Sequence, residues 1–320
     1  MNLYGHEEAW REWNAALSGP RMHHGWILAG ARGLGKASFA MQAARELVAE
    51  PGVPQPAGSH PDILVLSHLP ATKEDEKKRD EGKPFQLKRN IAVEQIRGVQ
   101  QRLHTRPTLG SRRAIIVDPA DDLEKGAANA LLKSLEEPPQ GTYFLLVAHR
   151  PGRLLPTIRS RCRILRFARL NDAQMDAALR EQAPEANAST RNAAIRASAG
   201  SPGAALEFLA LDLAPVYELL DQIAKAGDPG FVLRGRLADA IGARPDRARQ
   251  AAMLELARAI TTSRMRDTPV RAIPLLCDTN AELANLAAQF PVANFDPGLL
   301  VQETGGLLAR LAATRDAAHG

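Results

Sequence analysis

The sequence predicts an α/β protein: a parallel sheet covered by helices over the first half, then helices alone. Three observations predict it. Short apolar runs alternate with helical stretches from Trp26 to Phe167, the order in which parallel βα units are built. A glycine-rich turn, Gly30–Lys36, separates the first such run from a helix. After Arg169 the strand signals vanish and alanine-rich helical segments run to the end. Composition agrees with this reading. Of 320 residues, 45% are hydrophobic, dominated by Ala and Leu, and only 4% are aromatic, which favours packed helices over a β-sandwich. Charged residues at 24% sit near the average for globular chains, which excludes wholesale disorder.

Residues 6–18 read as a helix stopped by Gly19-Pro20. Trp26–Ala29 is a short apolar run and a candidate buried strand, followed by the glycine turn and a helix from Ala37 to Ala49. Residues 51–61 carry too much Pro and Gly for an element. Asp62–Leu66 is the next strand. Residues 70–90 contain KEDEKKRDEGK, a mixed-charge run with no hydrophobic face, expected to be a solvated, mobile excursion. A helix follows near 92–104, then a buried strand, Ala114–Asp118, that ends in a carboxylate. Residues 121–137 read as a helix with Asp121 as candidate N-cap. There Leu123, Ala127, Leu131 and Leu135 recur every four residues to give one apolar stripe. Pro138-Pro139 ends it. Tyr143–Val147 and Ile164–Phe167 complete the strands. The helical remainder is broken at Gly200–Gly203, at Gly227–Gly230 and around Pro291.

Several classes are excluded. No apolar run approaches the roughly 18–20 residues that span a bilayer. The acidic start, Met1–Glu8, lacks an apolar stretch of the kind a secretory leader needs, so none is expected. Two cysteines, Cys162 and Cys277, make neither a disulfide framework nor a cysteine-rich zinc site, and reduced thiols in a cytoplasmic protein are the expectation. A net charge of +5 is a weak hint of nucleic-acid contact; where the charge sits matters more.

Gly30–Lys36 matches the phosphate loop G-x-x-x-x-G-K. Such a loop needs glycines so that backbone N–H groups turn inward around phosphate oxygens at a helix N-terminus, while the lysine meets the outer phosphates. Gly30, Gly33, Gly35 and Lys36 are therefore the candidate nucleotide-binding residues. The next position should be a Ser or Thr to coordinate magnesium, and here it is Ala37. Ser38 lies about 100° further around the helix. Asp118 ends a strand where it could hold magnesium, but Pro119 follows, and proline cannot orient an attacking water. Neither Asp121 nor Asp122 occupies that place. No metal site is expected, and ATP, if bound, would not be turned over.

A second constellation lies downstream. From Arg150 to Arg169 there are seven arginines (150, 153, 159, 161, 163, 166 and 169) and no carboxylate. A cluster without counter-charge repels itself, so it is expected to face water or an external anion, either a nucleic-acid backbone or a nucleotide. Arg97, Arg102, Arg106, Arg112 and Arg113 make another basic stretch, either a DNA-facing surface or a solvated helix face. Trp10, Trp13 and Trp26 suit core packing under the first helix better than a base-stacking platform.

Gly30–Lys36, the run Asn129-Ala130-Leu131-Leu132-Lys133-Ser134-Leu135-Glu136-Glu137-Pro138-Pro139, and Thr157-Ile158-Arg159-Ser160-Arg161-Cys162 together resemble bacterial clamp-loader subunits of the AAA+ class. The eleven-residue run is the most specific of the three. The missing metal hydroxyl and Pro119 resemble the branch of that family that does not hydrolyse ATP. The motifs cover about residues 1–205; beyond that the resemblance rests on helical character and length. It implies three domains: an AAA+ α/β domain over 1–168 with a degenerate phosphate loop, a small helical lid over 169–208, and an all-α collar over 209–320 that joins five subunits. It further implies that Arg161 reaches in trans into the ATP site of an adjacent subunit, as an arginine finger. The implied partners are the ATPase subunits, the delta subunit, and, through the complex, the sliding clamp and primed DNA, with no membrane.

Some family features are absent. Several members carry a four-cysteine zinc module after the first helix, but residues 50–68 offer only His60 and His68, so no zinc is expected. Active members place a nucleotide-sensing arginine in the lid, and Ser198–Gly203 has none. His149 stands about where active members keep a small polar sensor, and is read here as an ordinary loop histidine. The alternatives left open are an active P-loop ATPase in which Ser38 and Asp122 improvise the missing roles, and a basic protein that binds DNA directly.

Overall fold

The computed structural model describes residues 4–265, 268–290, 293 and 295–312, so the break expected around Pro291 lies outside the described residues. The chain forms two compact units, Met1–Arg169 and Leu170–Gly320.

The first unit is a five-stranded parallel sheet with helices on both faces. In chain order its elements are α1 (Glu7–Leu17), β1 (Gly25–Ala29), α2 (Lys36–Val48), β2 (Ile63–Leu66), α3 (Lys73–Asp80), α4 (Val93–Leu103), β3 (Arg113–Val117), α5 (Lys125–Glu136), β4 (Thr142–Ala148), α6 (Pro156–Arg159) and β5 (Arg163–Arg166). The strand order is β2-β3-β4-β1-β5, every pair parallel. β1, β3 and nearly all of β4 are buried, which is why these strands read as continuous apolar runs instead of alternating ones.

Two apolar layers flank the sheet. On one face α4 and α5 bury Ile96, Val99, Leu103, Ala127, Leu131 and Leu135 against alternate strand residues such as Ile27, Ile115 and Phe144. On the other, α1 and α2 bury Trp13, Phe39, Ala43 and Leu47 against Trp26, Leu28 and Ile116. Trp13 and Trp26 are fully buried, their rings 5.4 Å apart edge to face, and the half-buried Trp10 ring lies tilted at 4.2 Å from Phe39. Trp13 and Trp26 are core, at a ring separation aromatic pairs favour, and Trp10 packs against that core.

Three local expectations are corrected. Residues 70–90 are largely exposed, as expected, but they contain a helix, α3. Thr72 caps α3 by accepting from the Asp75 N–H at 3.1 Å, and the Asp75 carboxylate accepts from Thr72 Oγ1 and from the Gln86 N–H at 3.0 Å. Backbone bonds Ala71 N–H to Gln86 O and Lys88 N–H to Leu69 O close the base of this excursion. The run lacks a hydrophobic face, yet capping, dipole-matched charges (acidic first turn, basic last turn) and a paired stem hold a helix without one. Second, Asp121 is not the N-cap of α5. It sits in a 3₁₀ turn, Ala120–Asp122, and the helix begins after Glu124. Third, the arginine stretch is not without counter-charge. Sequence-distant acids meet it: Glu136 lies 2.8 Å from Arg161 and Asp121 3.9 Å from Arg150, while Arg163 lies over the Trp26 ring at 5.5 Å.

The second unit is helical: α7 (Asp172–Gln182), α8 (Ala188–Ser198), α9 (Pro202–Ala210), α10 (Ala214–Ala226), α11 (Val232–Ile241), α12 (Arg247–Arg264), α13 (Ile273–Gln289) and α14 (Pro297–Ala309). Asn171, Asn187, Ser201, Asp246 and Asp296 each cap a helix through a side-chain oxygen. α7, α8 and α9 pack on one another, and α8 also packs on α10 and α12. The buried Asp228 carboxylate accepts from the Leu233 and Arg234 N–H groups and the Arg234 guanidinium, which ties the start of α11 to the turn before it. Among the described residues no helix is long and apolar enough to cross a membrane.

Candidate functional site

The glycine loop leaves the C-terminal end of β1 and turns into α2. Gly33 and Gly35 both adopt φ of +78°, the left-handed region where a side chain is strained, and Gly35 is the N-cap of α2. Gly30 is required for a different reason. A Cβ there would lie 2.6 Å from the carbonyl oxygen of Phe167, because the chain after β5 presses against the loop. The loop is held from below as well, since His6 Nε2 donates to the Leu34 carbonyl at 2.6 Å. Burial lowers the His6 pKa, consistent with a neutral ring in that role.

Lys36 opens α2 and is 2% exposed, and its ammonium donates to the Ala31 carbonyl at 2.5 Å. Burial depresses its pKa to about 8 against the pull of Asp118 and Asp121. Burial likewise raises the Asp118 carboxyl, opposed by the charges of His149, Lys36 and His68. His149 is lowered by burial first and by Lys36 second, and its Nδ1 is buried without a hydrogen-bond partner. Lys36, Asp118, Asp121 and His149 thus act on one another at the C-terminal end of the sheet. His149 is drawn into the loop's surroundings, beyond its reading as an ordinary loop residue.

The acids beyond Asp118 have other occupations. Asp121 accepts the His149 N–H at 2.8 Å and the Arg150 N–H at 3.1 Å, so it pins the chain after β4. Asp122 lies 3.3 Å from His68 Nε2, close enough to pair as ions, although the approach lacks hydrogen-bond alignment. Ala37 is exposed at the mouth of the loop with no hydroxyl, and Ser38 sits one position along α2. The residues present fit a phosphate cradle and do not fit the magnesium-dependent half of an ATPase site. His60 accepts from the Asp62 N–H at 3.0 Å and contacts Gln55 Oε1 at 2.9 Å, which commits it to its loop. Among the described residues no group of three His, Cys, Asp or Glu is placed to hold a metal ion.

Arg161 lies between α6 and β5, at the opposite end of the sheet from the loop. One of its terminal nitrogens donates to the Thr157 carbonyl at 3.0 Å, and the other meets Glu136 Oε1 at 2.8 Å. The side chain remains 36% exposed, so it is displayed and oriented at once. Its neighbour Cys162 is a packing residue. A Cβ on Gly25 would meet the Cys162 sulfur at 2.9 Å, and burial pushes the thiol up to about 12. Glu136 belongs to the eleven-residue run Asn129–Pro139, and only the fold joins it to Arg161. The signal was the charge itself, at the end of α5.

Sheet order, the loop between β1 and α2, and the helical second unit define a P-loop α/β protein of the AAA+ class. The model of the DNA polymerase III delta subunit family matches residues 5–171, just over half of the chain, and the chain belongs to that family. It is 35% identical over 159 residues to the DNA polymerase III subunit delta′ of Pseudomonas aeruginosa, covering 46% of this chain and 44% of that protein. Against the delta′ subunit of Escherichia coli K12 it is 37% identical over 150 residues, 47% of this chain and 40% of that one. The chain thus spans less than half the length of these relatives. A solved DNA polymerase III gamma subunit-related protein from Thermotoga maritima superposes with a TM-score of 0.46 at 19% identity, covering 95% of this chain and 99% of that one.

Proposed function

We propose that this chain is a non-hydrolysing clamp-loader subunit of the delta′ type. It would support assembly of a pentamer with ATPase subunits and a delta subunit, and supply Arg161 in trans to a neighbour's ATP while the sliding clamp is loaded on primed DNA. In this reading residues 169–208 act as the lid, 209–320 as the collar, and the protein works in the cytoplasm without a membrane. The observation that carries it is the contrast between the two sites. The loop keeps its phosphate backbone but lacks the metal hydroxyl at Ala37 and has Pro119 after Asp118, whereas Arg161 is exposed and held. Family membership and the delta′ relatives support the assembly.

The chemistry follows from the guanidinium. Hydrolysis of a terminal phosphate spreads negative charge over its equatorial oxygens, and a planar fork matches those oxygens better than an ammonium does. Gly30, Gly33, Gly35 and Lys36 are assigned to nucleotide contact without turnover. The purified chain is expected to show no magnesium-dependent ATPase activity. In the reconstituted loader, Arg161→Ala is expected to leave assembly intact and cut clamp-stimulated ATP turnover by about 10³–10⁵. Unchanged turnover in that variant would discard the finger assignment. Turnover by the isolated chain, abolished by Lys36→Ala, would discard the non-hydrolysing reading.

A further inference from the structure

We infer that Glu136 is the positioning residue for Arg161, fixing the guanidinium in the pose in which it meets a neighbour's phosphate. The proposal rests on the finger reading above. Glu136 is the last residue of α5, and the Arg161 segment follows α6, which packs on α5. The two side chains therefore arrive from separate parts of the chain and meet at 2.8 Å.

The geometry distinguishes this pair from an ordinary surface ion pair. Arg161 is held from two elements, by an ion pair with the Glu136 carboxylate at one terminal nitrogen and a hydrogen bond to the Thr157 carbonyl, at 3.0 Å, from the other. A contact at each terminal nitrogen restricts the swing of the guanidinium more than either contact alone would. A guanidinium has five N–H donors. The Thr157 carbonyl and, at 3.5 Å, Ser160 Oγ accept two of them from one terminal nitrogen, and the Glu136 carboxylate pairs as an ion with the other. Among the described residues the Arg161 Nε–H meets no acceptor, which leaves it for an incoming phosphate.

The anchors are themselves anchored. The carbonyl of Leu135, next to Glu136, pairs with His24 Nε2 at 2.9 Å. The backbone of Arg161 lies against β1, where a Cβ on Gly25 would approach the Arg161 carbonyl to 3.2 Å. Holding a long side chain in one pose before the partner arrives avoids the entropy cost of ordering it during the reaction. An exposed pair of this kind adds little to fold stability, so its value lies in orientation.

The test uses the reconstituted loader with sliding clamp and primed DNA, reading ATP turnover. Glu136→Ala is expected to lower kcat about tenfold while KM for ATP stays within about twofold. Glu136→Gln keeps an acceptor oxygen and should recover most of the rate. In an Arg161→Ala background, Glu136→Ala should have no further effect, because the two act as a unit. Unchanged or increased turnover in Glu136→Ala, with Arg161→Ala still inactive, would overturn the positioning role alone. If Arg161→Ala itself leaves turnover unchanged, the finger reading fails first. Equal assembly and thermal stability of Glu136→Ala and the parent are the control; a variant that fails to assemble is replaced by Glu136→Gln, whose full loss of rate would also overturn the proposal.

Discussion

Lys36 is buried far from its ordinary state as an exposed cation. The unfolded chain holds this proton up to its usual value near 10.5, while the folded chain holds it only to about 8. The buried charge is therefore a penalty that is full below pH 8 and fades as pH rises toward 10.5. Lys36→Met is expected to raise stability at pH 7 by about 2 kcal/mol, with the advantage shrinking by pH 10. Urea midpoints of both proteins at the two pH values check it. A gap that widens with pH would contradict the assigned burial. Gly30 makes a second test at this scale. With a Cβ forced to 2.6 Å from the Phe167 oxygen, Gly30→Ala should destabilise the protein by about 2 kcal/mol even without nucleotide present. A thermal midpoint unchanged in that variant would refute the packing role.

Elements were the most legible scale, and the reasons are specific. Leu131 and Leu135 lie on a stripe that only a helix makes, and both are buried in α5. β1 and β3 read as unbroken apolar runs because both of their faces are covered. What escaped the sequence was held by contacts between distant residues. Asp121 looks like a cap because it precedes a helical pattern, yet its carboxylate is taken by the His149 and Arg150 N–H groups, 28 and 29 residues away. Glu136 and Arg161 are likewise joined only by folding. The α3 excursion failed for a different reason, since a hydrophobic pattern cannot announce a helix that has none. Thr72→Ala should cost that helix about 1 kcal/mol locally, raising amide exchange over residues 73–80 and leaving the sheet's protection unchanged. Below the usual carboxylate range the same segment should loosen in the parent protein. Hydrogen bonds from the Gln86 N–H and then Thr72 hold the Asp75 pKa down, so their contribution is present above about pH 4 and is lost as pH falls through the lower folded value.

For the whole molecule, the net charge of +5 carries less than it suggested. Arg161 and Arg150 have acids within 4 Å, and Arg113 is buried, donating to the Arg102 and Arg106 carbonyls. The isolated chain should accordingly bind DNA weakly, with a shallow dependence of log K on log salt, a slope under about 3. A steep slope with tight binding would instead favour direct DNA recognition.

The parallel sheet has one last consequence. β1 and β5 run side by side in the same direction, with Trp26 opposite Arg163 and Ala29 opposite Arg166. The loop leaves at the finish of one strand and Arg161 enters at the start of the other. The strand between them spans about 13 Å at ~3.3 Å per residue. The unit is therefore polar, with the glycine loop on one rim and Arg161 on the other. On the proposed finger reading, any phosphate that Arg161 meets belongs to another molecule, and the contact that brings it there is head to tail. Such contacts close only as rings or run on as filaments, so the chain's directionality, more than its charge, prescribes the kind of assembly it can join.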